Sequence, residues 1–148
     1  LAELHPREYA ALAVAMRPYG ARCRQEDGLH LALAVTPPAP RRGLMLIDPS
    51  YEVKADYAAL PDLIQRVHAR WNVGVIVLWY PILASGAHLP MLAALEAAAL
   101  PKAFRHELRF APARDGHGMA GSGLFVVNAP FVLAQEAEAL AALVAARD

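Results

Sequence analysis

The chain has 148 residues, 57% hydrophobic and 19% charged, which suits one domain with one sizeable core and excludes a disordered tail. Its 14 Lys+Arg balance its 14 Asp+Glu, which argues against nucleic-acid binding driven by bulk charge while leaving room for a local basic patch. Cys23 is the only cysteine, so a disulfide framework and a cysteine zinc site are both excluded.

Leu1 to His5 reads as a short strand, and because no initiator Met stands before it a preceding segment is expected. Pro6 opens a helix near its first position, Leu12 and Met16 share one of its faces, and Pro18 and Gly20 end it. Ala21 to Gln25 is a candidate strand, followed by the turn Glu26-Asp27-Gly28. The alternation Leu29, Leu31, Leu33, Val35 fits a strand or a short helix, and its context favours a helix. Thr36 to Pro40 is a proline-rich loop.

Leu44-Met45-Leu46-Ile47 is wholly apolar, the pattern of a strand buried on both faces of a parallel sheet. A helix is expected from about Asp56 to Trp71, with Pro61 as a turn or kink in its first half. Val73 to Trp79 is a second apolar strand, and Leu89 to Leu100 a helix. Ala103 to Phe110 and Leu124 to Val127 read as strands joined by a glycine-rich loop, Asp115 to Gly123, and Phe131 to Arg147 as a closing helix. The longest nearly unbroken apolar run, Gly74 to Ala84, falls short of the about 20 residues a membrane span needs. Glu3, His5 and Arg7 stand where a signal peptide would be apolar. A cytoplasmic protein with no membrane contact is expected.

Strands alternating with helices predict right-handed βαβ units and a parallel sheet, with the last two strands forming an antiparallel hairpin at one edge. Ligands in such sheets sit beyond the carboxyl ends of the strands. That singles out Glu3 and His5, Asp27 and Gly28, Asp48 to Tyr51, Trp79 to Pro81, and Asn128 to Pro130.

Asp48-Pro49-Ser50-Tyr51 is the most informative stretch. A carboxylate beside the rigidly aimed carbonyl of a proline offers two acceptors to an exocyclic amino group, and Tyr51 can stack on a flat base. The plainer reading is an Asp-Pro turn with Tyr51 as packing. Glu3 and Asp27 are carboxylates after strands at one end of the sheet, where such a carboxylate takes ribose hydroxyls, and Asp27-Gly28 is placed to contact an adenine ring. The plainer reading makes Asp27 a helix cap and Gly28 a turn residue. Trp71 and Trp79 read as core, with a pocket wall as the alternative for Trp79-Tyr80-Pro81, which ends the strand next to Asp48's, and Ser122 is placed to contact substrate from the loop.

Gly116-His117-Gly118-Met119-Ala120-Gly121 matches G-x-G-x-x-G, but a strand rather than a helix follows it, so no dinucleotide site is assigned. Ser122 between two glycines, with His117 and Asp48, lacks the spacing and the strand-to-helix context of a nucleophile elbow. The six histidines show no metal-ligand pairing, and no metal is assigned.

The turn resembles the signature of amino-directed methyltransferases that use S-adenosylmethionine: an acidic or polar residue, two prolines and an aromatic residue. More closely, the chain is similar to the bacterial RlmJ family, through Leu1 to Pro6, Arg41 to Pro49, Leu78 to Pro81, Gly118-Met119 with Ser122-Gly123, and Asn128. The resemblance implies a Rossmann-like class I α/β fold, mostly parallel with an antiparallel C-terminal hairpin, the whole chain being the C-terminal part of one catalytic domain that lacks its first strand. It implies methyl transfer from S-adenosylmethionine to the N6 amino group of an adenine in large-subunit (23S) ribosomal RNA, free of ribosomal proteins, by a monomer needing no metal. Carried over by position, Glu3 would hold the cofactor ribose, and Asp27 and Gly28 its adenine. Asp48 and Pro49 would be the catalytic acceptors, with Asp48 also beside the cofactor, and Tyr51 would stack on the target base.

Two departures qualify this. Ser50 stands where the family has a second proline, which frees Pro49 from the pre-proline restriction. The family's glycine-rich cofactor loop and first strand belong before Leu1, between Leu1–His5 and Leu44–Ile47. The chain alone is therefore expected to bind cofactor poorly and to be inactive. A DNA adenine methyltransferase would use the same turn, and a noncatalytic binding module derived from such an enzyme would tolerate Ser50.

Overall fold

The computed structural model describes residues 1–52, 54–110 and 118–145. Four strands form one sheet in the order β1-β2-β4-β3: β1 Leu44–Ile47, β2 Val75–Leu83, β3 Phe104–Arg109 and β4 Met119–Val127. β1 and β2 are parallel, joined through helix α3 (Lys54–Arg70). β4 lies antiparallel to both β2 and β3. Three of the four strands therefore run in one direction, and the hairpin sits at the edge opposite β1, as expected.

Helices α3 and α4 (Leu89–Ala97) cover one face of the sheet. Strand periodicity puts Met45, Ile47, Ile76, Leu78, Tyr80 and Ile82 on that face. There they meet Leu60, Ile64 and Val67 of α3 and Met91, Leu92 and Leu95 of α4. Helix α2 (Gly28–Ala34) packs beside α3 and adds Ala32 to the same core. It resolves the ambiguous Leu29–Val35 alternation as helix. The Asp27 carboxylate accepts from the Leu29 N–H at 2.8 Å, an N-cap that starts the helix.

β1 corrects an expectation. Leu44 is 64% and Leu46 61% exposed, so only one face of this apolar strand is buried. The four-residue run is apolar on both faces, but the described residues supply cover to one. The Leu1–His5 and Ala21–Gln25 strands shrink to a single parallel bridge, Ala2 to Arg24, outside the four-stranded sheet. Helix α1 (Pro6–Met16), with His5 as its N-cap residue and Gly20 closing the following turn at φ +63°, buries none of its side chains.

β2 and β4 are longer than expected. β2 continues through Pro81 to Leu83, beyond Leu78, where pairing with β1 stops and a missing N–H is tolerated. β4 starts at Met119 and absorbs residues read as loop, pairing Ser122 with Pro81 and Gly121 with Ile82. Gly123 is a packing glycine: a Cβ there would lie 2.2 Å from the buried Tyr80 ring. The rest of the glycine-rich loop, Asp115 to His117, lies outside the described residues. Helix α5 (Leu133–Ala145) packs against β3, and the expected extension to Arg147 also lies outside the described residues.

Candidate active site at the end of β1

The chain leaves β1 at Ile47 and enters the turn Asp48-Pro49-Ser50-Tyr51. Asp48 and Ser50 are exposed, and Pro49 and Tyr51 half-buried. The Asp48 side chain thus faces solvent at the carboxyl end of a parallel strand, the position that such sheets leave open for ligands. Tyr51 sits at φ +58°, a left-handed conformation that costs a residue with a Cβ about 1 kcal/mol or more and persists only where its surroundings hold it.

Two neighbouring elements, β2 and α3, supply that hold. The Tyr51 hydroxyl donates to the Trp79 carbonyl on β2. Its ring packs 4.8 Å from the Tyr57 ring, in the first turns of α3, and 6.1 Å from the Trp79 ring. Burial, then the neighbouring Tyr57 and Asp48, push the Tyr51 phenol well above its ordinary pKa, so it remains a donor at any physiological pH. The Trp79 indole N–H in turn donates to Ser122 Oγ on β4 at 2.7 Å. Asp48, Pro49, Tyr51, Trp79 and Ser122 are therefore joined in one connected cluster. Sequence reasoning named all of these but not Tyr57, whose signal was only its place six residues after Tyr51, at the start of the helix.

Tyr80 is not part of the pocket wall. Strand alternation turns it to the helix-covered face, where it is fully buried. It reaches beneath Gly123 to donate to Glu107 Oε1 on β3 at 3.1 Å. Burial, then the Glu107 charge, raise the Tyr80 phenol to about 12. Burial works against the Glu107 charge, but hydrogen bonds from Arg105 and Tyr80 outweigh it and hold the carboxyl below its ordinary value. His88, 2% exposed, stacks on Tyr80 with ring centroids 6.1 Å apart, and its Nδ1 accepts from the Leu83 N–H at 3.2 Å.

Glu3, Asp27 and Gly28 form a second group. The parallel Ala2–Arg24 bridge carries Glu3 and the Asp27 turn toward the same end, and Gly28 approaches the Ala2 methyl. Glu3 Oε1 accepts from the His5 N–H at 2.7 Å, and Asp27 Oδ1 caps α2. Each carboxylate keeps one oxygen clear of those bonds. The capping reading of Asp27 is thus observed, and its second oxygen lies 3.9 Å from His30 Nδ1. No strand of the described residues connects this group to β1.

Asn128 is a structural residue. Because β4 is antiparallel, its C-terminus lies at the opposite end of the strands from Asp48. The Asn128 amide donates to the Asn72 and Gly74 carbonyls at 3.0 and 2.8 Å, tying β4 to the turn before β2. Ser122 lies within a strand, not on a strand-to-helix elbow, which removes the hydrolase geometry, and His117 lies outside the described residues. Among the described residues, no three His, Cys, Asp or Glu side chains are grouped to hold a metal, and no helix is long and apolar enough to cross a membrane.

Comparison with known proteins places this geometry. A family model described as RsmJ: Ribosomal RNA large subunit methyltransferase D, RlmJ matches residues 1–147. The chain is 39% identical over 137 residues to Ribosomal RNA large subunit methyltransferase J of Escherichia coli (strain K12), covering 92% of this chain and 49% of that protein. It is 35% identical over 136 residues to the protein of the same name from Haemophilus influenzae (strain ATCC 51907 / DSM 11121 / KW20 / Rd), covering 90% and 48%. The crystal structure of protein LPL1258 from Legionella pneumophila str. Philadelphia 1 superposes with a TM-score of 0.85 at 30% identity, over 97% of this chain and 54% of that one. The chain spans about half the length of the curated relatives it matches.

Proposed function

The chain belongs to the ribosomal RNA large subunit methyltransferase D, RlmJ family, and from that premise we propose that it is the C-terminal part of one catalytic domain. The complete domain transfers a methyl group from S-adenosylmethionine to the N6 amino group of an adenine in 23S ribosomal RNA stripped of ribosomal proteins. The observation that carries the proposal is the turn after β1, with an exposed Asp48 carboxylate next to the Pro49 carbonyl and Tyr51 held alongside.

The amino nitrogen of adenine is a poor nucleophile, because its lone pair is delocalised into the ring. Hydrogen bonds from that NH₂ to the Asp48 carboxylate and the Pro49 carbonyl draw the nitrogen toward a tetrahedral shape and free the lone pair. The catalytic work of these residues is positioning and electrostatics. The Tyr51 ring stacks on the base once it has left its own stack. S-adenosylmethionine supplies the electrophilic methyl. Glu3 fits the ribose hydroxyls of that molecule, since one of its oxygens lies outside the bond to the His5 N–H, and Asp27 and Gly28 would lie against its adenine. The fit is partial, because those two carboxylates and Asp48 belong to groups that the described strands do not join.

The exposed Leu44 and Leu46 belong to the same proposal. An apolar strand with one open face and an unpaired edge is a docking place for further structure. We assign that cover to the half of the relatives' length that this chain does not match, which makes residues 1–148 alone inactive.

The test is methyl incorporation into protein-free 23S RNA by the full-length protein. Asp48→Ala is expected to abolish incorporation while calorimetric binding of S-adenosylmethionine persists, and near-normal turnover would overturn the role. Duplex DNA as the better acceptor would favour the DNA reading. No cofactor binding by the full-length protein would favour a noncatalytic module.

A further inference from the structure

The chemistry proposed above needs Asp48, Pro49 and Tyr51 in one fixed arrangement, but the turn that carries them has Ser50 where a rigidifying proline is expected. Tyr51 adopts a left-handed backbone that must be held from outside. The hold comes from one residue used twice. The Trp79 carbonyl accepts the Tyr51 hydroxyl, and the Trp79 indole N–H is anchored on Ser122 Oγ at 2.7 Å. Ser122 is itself fixed in the middle of β4. It pairs with Pro81 on one side and Leu108 on the other. Its neighbours Gly121 and Gly123 admit no Cβ without collision with the Leu108 carbonyl and the Tyr80 ring.

We infer that Ser122 and Trp79 are positioning residues, a relay that transmits the rigidity of the β2–β4 ladder to the Asp48–Tyr51 turn without touching substrate. The inference rests on the proposed reading of that turn and deepens it. Ser122 Oγ accepts from the indole N–H, and in this relay its part is to aim Trp79. The relay replaces, by tertiary contacts, the local stiffness lost with the second proline.

The experiment uses the full-length protein with protein-free 23S RNA. Ser122→Ala and Trp79→Phe each remove one end of the 2.7 Å hydrogen bond. Each is expected to lower kcat about 5–10-fold, the size of one net hydrogen bond expressed in the transition state. KM for RNA should stay within about twofold. The double variant should be no slower than the slower single one, because both break the same link. Ser122→Thr returns a hydroxyl and should recover most of the loss, which separates the relay from a folding defect. Unchanged kcat in both single variants, multiplied losses in the double, or a raised KM with kcat intact overturns the relay. Asp48→Ala runs alongside as the control. If it is active, the reading of the turn fails; if it is inactive while Ser122→Ala is normal, only the relay fails.

Discussion

On one face of the sheet Ile76, Leu78, Tyr80 and Ile82 are at most 1% exposed beneath α3 and α4; on the other, Leu44 and Leu46 are 64% and 61% exposed. The residue types hardly differ. Both faces of β1 and β2 are aliphatic or aromatic, as befits a parallel pair meant to be covered twice. What differs is the supply of cover. α2, α3 and α4 all pack to one side, while α5 packs against the far strand, β3. The closed face is what holds residues 1–148 together, and the open face is where the proposed cover would dock.

The largest test of that contrast is a matched pair. Leu78→Ala, in the closed face, should cost about 2–5 kcal/mol in denaturant unfolding, through lost transfer energy and a residual cavity. Leu46→Ala, next to Leu78's β1 partner Ile47 but on the open face, should stay within about 0.5–1 kcal/mol in residues 1–148. Equal costs would mean that the open face is covered after all. Gly123→Ala comes next. Its methyl would lie 2.2 Å from the Tyr80 ring, and the displaced ring should cost about 1–3 kcal/mol, with the tie to Glu107 broken. Truncating the ring in a Tyr80→Leu background should remove most of that added cost, and a full additional loss there would show that the clash lies elsewhere.

The smallest effect is a pH dependence on the closed face. Burial pulls the His88 imidazole below its ordinary pKa, with Glu107 opposing and Arg105 and Arg109 reinforcing the shift. The folded state thus binds a proton less readily than the unfolded chain. This contribution to stability is complete above the ordinary value near 6.5 and declines as the pH falls through and below it. His88→Asn keeps an acceptor for the Leu83 N–H but cannot titrate. Unfolding free energies of the two proteins should run parallel above about pH 7 and converge, or cross, on acidification. Parallel curves down to pH 5 would remove His88 from the account.

Much of this was legible in the residues. The apolar runs of β1 and β2, the capped helix after Asp27 and the hairpin at the edge follow from patterns that need no partner: alternation, caps and breakers. The turn was singled out because an acidic residue, a proline and an aromatic residue follow an apolar strand, at the end where such sheets bind ligands. Strand ends were less legible. The Gly121-Ser122-Gly123 segment carries loop-like residues, yet it is strand, because Tyr80 fills the space that a Cβ would take. Tyr80 itself was misplaced by one position. Trp79, Tyr80 and Pro81 look alike as a wall, but alternation sends Trp79 to the site and Tyr80 into the core.

By itself, the sequence determined the positions of β1, β2 and most helices, that the sheet has a parallel part with an antiparallel edge, and that Asp48 and Pro49 sit together at a strand end. Those follow from local periodicity and backbone restriction, which act over a few residues. The same signals overread Leu1–His5 and Ala21–Gln25 as strands where only the Ala2–Arg24 bridge forms. Only the tertiary structure decided that β1 is covered on one face, that Tyr51 is clamped to Trp79, and that Trp79 is aimed by Ser122, 43 residues away. Contacts at that separation depend on strand register and on side-chain volumes from other elements, and no local pattern in the chain encodes them.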